Sequence, residues 1–147
     1  MNYSLRPATT ASHFSDIILL DRRCFPEDTI IRPEKGFYWL LWCEGKAVGY
    51  TGIVPAKLDK ETAVRTRSCI LPGYRGKGLQ RRLIRVTQRW ARGLGLGTVL
   101  ATTATWNSAS ANNFIRTGWR MYWPAHPWMD KETVYWKWDT KWPTRSW

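Results

Sequence analysis

The stretch that most limits what this chain can fold into runs from Thr62 to Gly93. Thr62 to Leu71 is rich in β-branched residues and reads as a strand. Pro72-Gly73-Tyr74-Arg75-Gly76-Lys77-Gly78 then forms a basic, glycine-rich loop, and a helical stretch follows to about Gly93. Glycines let backbone N–H groups converge, and a helix starting directly afterwards adds the positive end of its dipole. Arg75, Lys77 and Arg81 bring side-chain charge to the same place. The segment is therefore an anion site. It is not a Walker loop, because Leu79 follows Gly78 where Lys-Ser/Thr is required, and the GxGxxG spacing of a dinucleotide fingerprint is absent.

At about 100° per residue, Arg81, Arg82, Arg85, Arg89 and Arg92 fall within an arc of roughly 100° on that helix. Leu79, Leu83, Val86 and Trp90 cluster opposite and are the expected core face. No acid interleaves with the five arginines, so their mutual repulsion lacks the relief that Glu/Arg pairs supply. The face is expected to be either solvated or in contact with a polyanion such as nucleic acid.

The chain has 147 residues and a formal net charge of +12. That length suits one compact domain with a sizeable core. The charge favours polyanionic ligands or partners. Cys24, Cys43 and Cys69 are widely and irregularly spaced, with no CxxC pair, so neither a disulfide framework nor a metal site is expected. The N-terminus lacks the apolar core of a signal peptide, and the longest apolar run, Phe37 to Cys43, is too short to cross a bilayer. A reduced, cytoplasmic protein without membrane contact is the expectation.

Along the chain the pattern predicts a strand over Asn2 to Arg6 and a helix carrying Phe14, Ile17, Ile18 and Leu20. A loop or short helical turn follows over Glu27 to Gly36. Phe37 to Cys43 and Ala47 to Val54 pair across a Glu44-Gly45-Lys46 turn. After the loop and its helix come a strand over Thr98 to Thr103 and a short helix over Asn107 to Arg116. Two aromatic strands follow near Trp119 to Trp123 and Thr133 to Trp138. Hairpins mixed with crossover helices give an α+β fold with a mixed sheet.

Arg75-Gly76-Lys77-Gly78-Leu79-Gln80 resembles the acetyl-CoA pyrophosphate loop of the GNAT superfamily of N-acetyltransferases. Ile70 to Arg75 resembles the strand end before that loop. Asn107, Phe114, Gly118 and Trp119 match the spacing of a second family segment, and the Glu44-Gly45-Lys46 hairpin leading into Val48-Gly49-Tyr50 is similar to a third. The resemblance implies a mostly antiparallel central sheet flanked by helices, in a single domain over residues 1–139 with a Trp-containing tail over 140–147. It implies acetyl-CoA as cofactor, with backbone groups of Ile70 and Leu71 on the pantetheine arm. The amides of Arg75, Gly76, Lys77, Gly78, Leu79 and Gln80 would take the pyrophosphate, with added charge from Arg81. Asn107 would bond the pantetheine arm and Phe114 would lie near the thioester sulfur. The implied reaction is direct attack of an amine on the acetyl group, helped by proximity.

Two departures bear on the chemistry. Gln80 stands where the family usually has Gly or Ala. Phe114 stands where many members carry a tyrosine that protonates the leaving thiolate, which phenylalanine cannot do. Tyr122 or Tyr74 could substitute as the acid. No carboxylate lies within the strand before the loop beyond Glu61 at its start, which leaves Glu44, Asp21 and His126 as candidate bases. A missing base favours weakly basic acceptors. At about pH 7.4 an α-amine with a pKa near 7.8 is roughly a quarter neutral, whereas a lysine near 10.4 is neutral about one part in a thousand. The acceptor is expected to be an amine carried on nucleic acid, as in aminoacyl-tRNA, or a protein or peptide amine. The alternative is a catalytically quiet module of the same fold that binds nucleic acid or a protein partner.

Seven of the 11 tryptophans, from Trp119 to Trp147, fall in the last 29 residues. Trp136 and Trp138 share one strand face, so they build sheet core, a homodimer interface or a stacking platform for flat acceptor groups. On the resemblance, Pro124 to Trp128 would wall the acceptor pocket.

Overall fold

The computed structural model describes residues 1–57 and 59–143. The predicted tail therefore reaches past them, and Trp147 lies outside the described residues. Among the described residues there are three α-helices and eight strands, with mostly antiparallel pairing, which is the α+β class expected. The chain divides into two compact units: Met1–Val54 with Thr66–Leu79, and Pro55–Arg65 with the chain from Gln80 onward.

The first unit is built on β1 (Tyr3–Pro7), β2 (Phe37–Cys43) and β3 (Lys46–Pro55), paired antiparallel in that order. α1 (Ala11–Cys24) starts at Thr10, whose hydroxyl accepts the His13 N–H while His13 Nδ1 accepts the Thr10 N–H. That reciprocal cap gives His13 a structural task. The buried Ile17 and Leu20 of α1 share one hydrophobic core cluster with Tyr38, Leu40, Tyr50, Cys69 and Leu71.

The second unit holds β4 (Thr62–Arg65), β6 (Thr98–Ala104), β7 (Arg120–Tyr122) and β8 (Thr133–Asp139), with α3 (Ser108–Arg116) and α2 from Gln80. β4 runs parallel to β6, while β6–β8 and β8–β7 are antiparallel. Trp136 and Trp138 are 1% and 0% exposed, so of the three readings for this pair the structure selects core. Phe114 of α3 lies stacked on Trp136 with ring centroids 5.7 Å apart and meets Trp119 edge-on at 5.0 Å. Such pairs add about 1 kcal/mol each beyond the area they bury.

Three sequence expectations are corrected. The predicted strand Thr62 to Leu71 is two strands, because it breaks after β4 and resumes as β5 (Cys69–Ile70), which pairs antiparallel with β3. In the interval Thr66 and Ser68 bond locally, the Thr66 N–H to the Gly52 carbonyl and the Ser68 hydroxyl with Thr51 at 2.8 Å. The inward face of α2 (Leu79–Gly93) is rotated from the predicted one. Leu79, Leu83, Ile84, Thr87, Gln88 and Ala91 are buried, while Val86 and Trp90 are half-buried. Turned inward, the Thr87 hydroxyl donates to the Ile84 carbonyl and Gln88 Nε2 donates to the Thr117 carbonyl at 2.9 Å, while Gln88 Oε1 is buried without a hydrogen-bond partner among the described residues.

The third correction concerns the thiols. Cys24 and Cys69 form a disulfide with Cα atoms 6.3 Å apart, and Cys43 is free and buried. Wide spacing in sequence says nothing about proximity once α1 packs beside β5. The cysteine-based argument for a reduced cytoplasmic setting therefore falls. Among the described residues no helix is long and apolar enough to cross a membrane, and no cluster of metal-ligating side chains occurs.

Candidate active site

The glycine-rich loop closes the first unit, and α2 begins at Leu79 directly after it. Pro72–Tyr74 form one 3-10 turn. Gly76 and Gly78 then adopt φ of +79° and +73°, left-handed values that strain any other residue. A Cβ on Gly76 would meet nothing within 4 Å, so that position is open as well as left-handed. A glycine loop of this backbone conformation leading directly into a helix start is an arrangement suited to phosphate, because the first amides of a helix have no intrahelical acceptor. Arg75 and Lys77 are exposed, and Lys77 Nζ reaches the Tyr3 hydroxyl at 3.3 Å. These residues fit a pyrophosphate.

β5 is held tightly against β3. A Cβ on Gly49 would come within 2.6 Å of the Cys69 carbonyl oxygen, so glycine is required for the approach. The backbone groups expected to serve a pantetheine arm are already partly engaged. Arg75 Nε donates to the Ile70 carbonyl at 2.7 Å, the Leu71 N–H donates to Val48, and the Leu71 carbonyl accepts the Tyr74 N–H. Each carbonyl keeps a second lone pair, so an arm lying here would share the Ile70 oxygen with Arg75 or displace it.

Gln80, the departure from the family pattern, has a task that the sequence does not reveal. Its Nε2 donates to the Ser110 hydroxyl at 2.8 Å, and its Oε1 accepts from Asn113 at 2.7 Å, tying the first turn of α2 to α3. Asn107 caps α3, its side-chain oxygen accepting the Ser110 N–H at 3.1 Å. That use spends the amide oxygen and leaves the NH2 group as a donor.

Phe114 is 2% exposed within the aromatic stack, and the Arg65 guanidinium sits 5.4 Å from its ring centre. Burial pulls Arg65 down to about 10, so it stays charged at neutral pH; its Nε donates to the Thr87 hydroxyl at 3.1 Å. Sequence reasoning missed this buried cation. Ala63 faces inward on β4, so period-two alternation places Arg65 on the same side.

Of the three residues named for proton transfer, Glu44 belongs to the first unit, and Tyr122 and His126 belong to the second. Glu44 occupies the β2–β3 turn, exposed and left-handed at φ +50°. His126 is exposed in the β7–β8 connection, four residues after Tyr122. Tyr122 pairs with Tyr135 across the ladder, and burial, with Tyr135 beside it, raises its phenol above the ordinary value. Trp123 and Trp128 rest edge-on against Tyr135, and both are exposed.

Asp21 is not a base at neutral pH. Burial would raise its carboxyl, but hydrogen bonds from Arg67 and Tyr50, with the Arg67 charge, hold it below the usual carboxylate range. Arg67 grips both carboxylate oxygens at 2.7 Å, and the Tyr50 hydroxyl donates to the same group. A cavity of about 440 Å³ lies between α1 and the β2–β3 hairpin, lined by Asp16, Arg23, Trp42 and Lys46 among others, with none of the sequence-named site residues in its wall.

The model of the acetyltransferase (GNAT) family matches residues 5–119. Comparison with curated protein sequences finds no match. Among solved structures, the ribosomal-protein-S18-alanine N-acetyltransferase of Escherichia coli is similar with a TM-score of 0.73 and 12% identity, over 97% of this chain and 96% of that one. A GNAT acetyltransferase of Streptococcus pneumoniae gives 0.74 and 14%, over 94% and 99%. An acetyltransferase of Streptococcus agalactiae gives 0.72 and 17%, over 92% and 96%. At these identities the likeness is one of fold.

Proposed function

The chain belongs to the acetyltransferase (GNAT) family, and from that premise we propose that it transfers an acetyl group from acetyl-CoA to an amine of low basicity. The observation that carries this reading is the loop Arg75 to Gly78, whose left-handed Gly76 and Gly78 lead straight into the first turn of α2. When bound, acetyl-CoA supplies the acetyl group as a reactive thioester. The loop amides and the helix start hold its pyrophosphate, and Arg75, Lys77 and Arg81 balance the charge. The Asn107 amide donates to the pantetheine arm.

The chain's own acid–base equipment is sparse, and this shapes the acceptor. Phe114 offers no proton. The fixed charge of Arg65 beside it favours a nearby anion without proton transfer, since a charge in a dry site acts more strongly than in water. His126 and Glu44 are the groups left to take the amine's proton directly or through water, while Tyr122, whose raised phenol stays protonated, is left to give a proton to the leaving thiolate. With so little help, an amine already neutral at working pH reacts best: the α-amine of a peptide, or the amine of an aminoacyl group carried on nucleic acid. The structural neighbour from Escherichia coli, by its name, acts on an alanine of ribosomal protein S18.

The test is release of free thiol from acetyl-CoA at pH 7.4, offered aminoacyl-tRNA, a peptide with a free N-terminus, and an N-blocked lysine peptide. The first or second is expected to exceed the lysine peptide by about 250-fold, following their neutral fractions. A lysine preference would overturn the acceptor argument. Binding of acetyl-CoA without thiol release from any amine would favour the quiet-module reading, which the buried, hydroxyl-free Phe114 supports.

A further inference from the structure

Two ties join the end of α1 to the chain that leads into the glycine loop, and both lie within the first unit. One is ionic: Arg67 grips both carboxylate oxygens of Asp21 at 2.7 Å. The other is covalent: Cys24, the last residue of α1, is bonded to Cys69, the first residue of β5. Asp21 lies one helical turn before Cys24, and Arg67 lies just ahead of Cys69, so the two fastenings are neighbours. The ionic one keeps α1 and β5 together when the sulfurs are apart.

The surroundings suit both states of the sulfurs. Cys69 is 4% exposed, in the core cluster of Ile17, Leu20, Tyr50 and Leu71, where a free thiol packs as a small apolar group. Its Sγ lies 3.7 Å from the Leu20 carbonyl oxygen, so an S–H formed there has an acceptor at hand. Cys24 is half-buried, so a thiolate from solution reaches its sulfur first.

What the bond holds in place is β5. That strand is two residues long and pairs with β3 at Gly49↔Ile70 and Tyr50↔Cys69. Cys69 is the immediate neighbour of Ile70, which with Leu71 carries the backbone groups assigned to the pantetheine arm. Arg75 Nε is anchored on the Ile70 carbonyl at 2.7 Å, and the turn Pro72–Tyr74 carries the chain on to the left-handed Gly76 and Gly78.

We propose that Cys24 and Cys69 form a thiol–disulfide switch that sets the order of β5 and the loop after it, and through them acetyl-CoA binding. It rests on the reading of Arg75 to Gly78 as the cofactor loop. Closed, the bond fixes β5; opened, it leaves freedom that the cofactor has to remove on binding. The reductant is a small thiol such as glutathione. Its thiolate attacks the Cys24 sulfur, the Cys24–Cys69 bond breaks, and Cys69 leaves as a thiolate and takes a proton. A second small thiolate attacks the small-molecule sulfur of the mixed disulfide, and Cys24 leaves and takes a proton. Two electrons pass to the protein, both protons come from the small thiols, and those thiols end as one disulfide. Glutathione disulfide drives the same steps in reverse.

The experiment titrates the full chain with acetyl-CoA by calorimetry after incubation in glutathione disulfide and after incubation in reduced glutathione. Alkylation and mass count the thiols in each form, and amide hydrogen exchange follows residues 69–78. Reduction is expected to free Cys24 and Cys69, to keep the far-ultraviolet circular dichroism of the folded chain, and to lower acetyl-CoA affinity about tenfold. Exchange over residues 69–78 is expected to be faster in the reduced form. The Cys24→Ser/Cys69→Ser variant is expected to behave as the reduced form under both treatments. Coupling is reciprocal, so saturating acetyl-CoA should favour the disulfide by the same factor.

Equal affinity in the two forms would overturn the switch. So would a bond that reduced glutathione leaves intact in the folded protein, or a reduced chain that unfolds, either of which makes the bond a fixed staple. If acetyl-CoA binds neither form, the cofactor reading falls. Faster exchange over residues 69–78 on reduction would then keep the switch on β5, and equal exchange would remove it.

Discussion

Arginines are used in two opposite ways in this molecule. In the first unit Arg67 and Arg22 converge on Asp21, which is 0% exposed, and both also donate to backbone carbonyls. Arg22 donates to the carbonyls of Phe25 and Pro26, and Arg67 donates to Thr29 at 2.6 Å, so the segment after α1 is fastened from both sides. In the second unit the outward arginines of α2 meet no carboxylate on their own helix. The lesson is about satisfaction. A cation that serves the fold is supplied with acceptors by the fold, whereas the exposed Arg82 and Arg89 form no ion pair among the described residues.

The largest expected effect lies in the satisfied set. Asp21→Asn leaves a partly buried guanidinium without its charge partner, and a loss of about 3 to 5 kcal/mol in urea unfolding is expected. The Asp21 carboxyl is held below its unfolded value, so its contribution is complete above about pH 4 and is lost as pH falls through the lower native value. Stability of the unaltered protein should therefore drop at acid pH, and that part of the drop should be missing in Asp21→Asn. A variant as stable as the parent would break the comparison at its structural end.

Next in size is Gly78→Asp. It sets a carboxylate among the loop amides and places a side chain at φ +73°. Acetyl-CoA affinity is expected to fall at least 100-fold, or about 2.7 kcal/mol, as read by calorimetry. Gln80→Ala should cost about 1 to 2 kcal/mol of stability, because it removes the bonds to Ser110 and Asn113; denaturant unfolding measures it. The smallest effect sharpens the contrast. Arg82→Gln/Arg89→Gln should change stability by no more than about 0.5 kcal/mol, since both side chains are exposed and form no ion pair among the described residues. A clear loss would show that these two arginines serve the fold.

Much of this was legible in residue order. The β2–β3 hairpin, the loop and the start of α2 follow from alternation, turn residues and glycine placement, all of them local signals. What stayed hidden depends on which surfaces meet. Val86 and Trp90 read as core, yet Thr87 and Gln88 took the buried positions once Ile84 and Thr117 supplied carbonyls. Cys24 and Cys69 are 45 residues apart, and only the packing of α1 beside β5 joins them. The break after Arg65 is a matter of partner choice, as β4 follows β6 and β5 follows β3. The acid and the base are the least legible elements of all, because Tyr122, Glu44 and His126 carry no local pattern that distinguishes a proton donor or acceptor from an ordinary side chain.

The central claim is that the loop Arg75 to Gly78 and the start of α2 form an acetyl-CoA site. Calorimetric titration of the protein with acetyl-CoA, beside the Gly78→Asp variant, tests it most directly. The account predicts binding at about micromolar strength in the unaltered protein and its loss in the variant. Equal affinity in the two, or no binding in either at low salt, would contradict it.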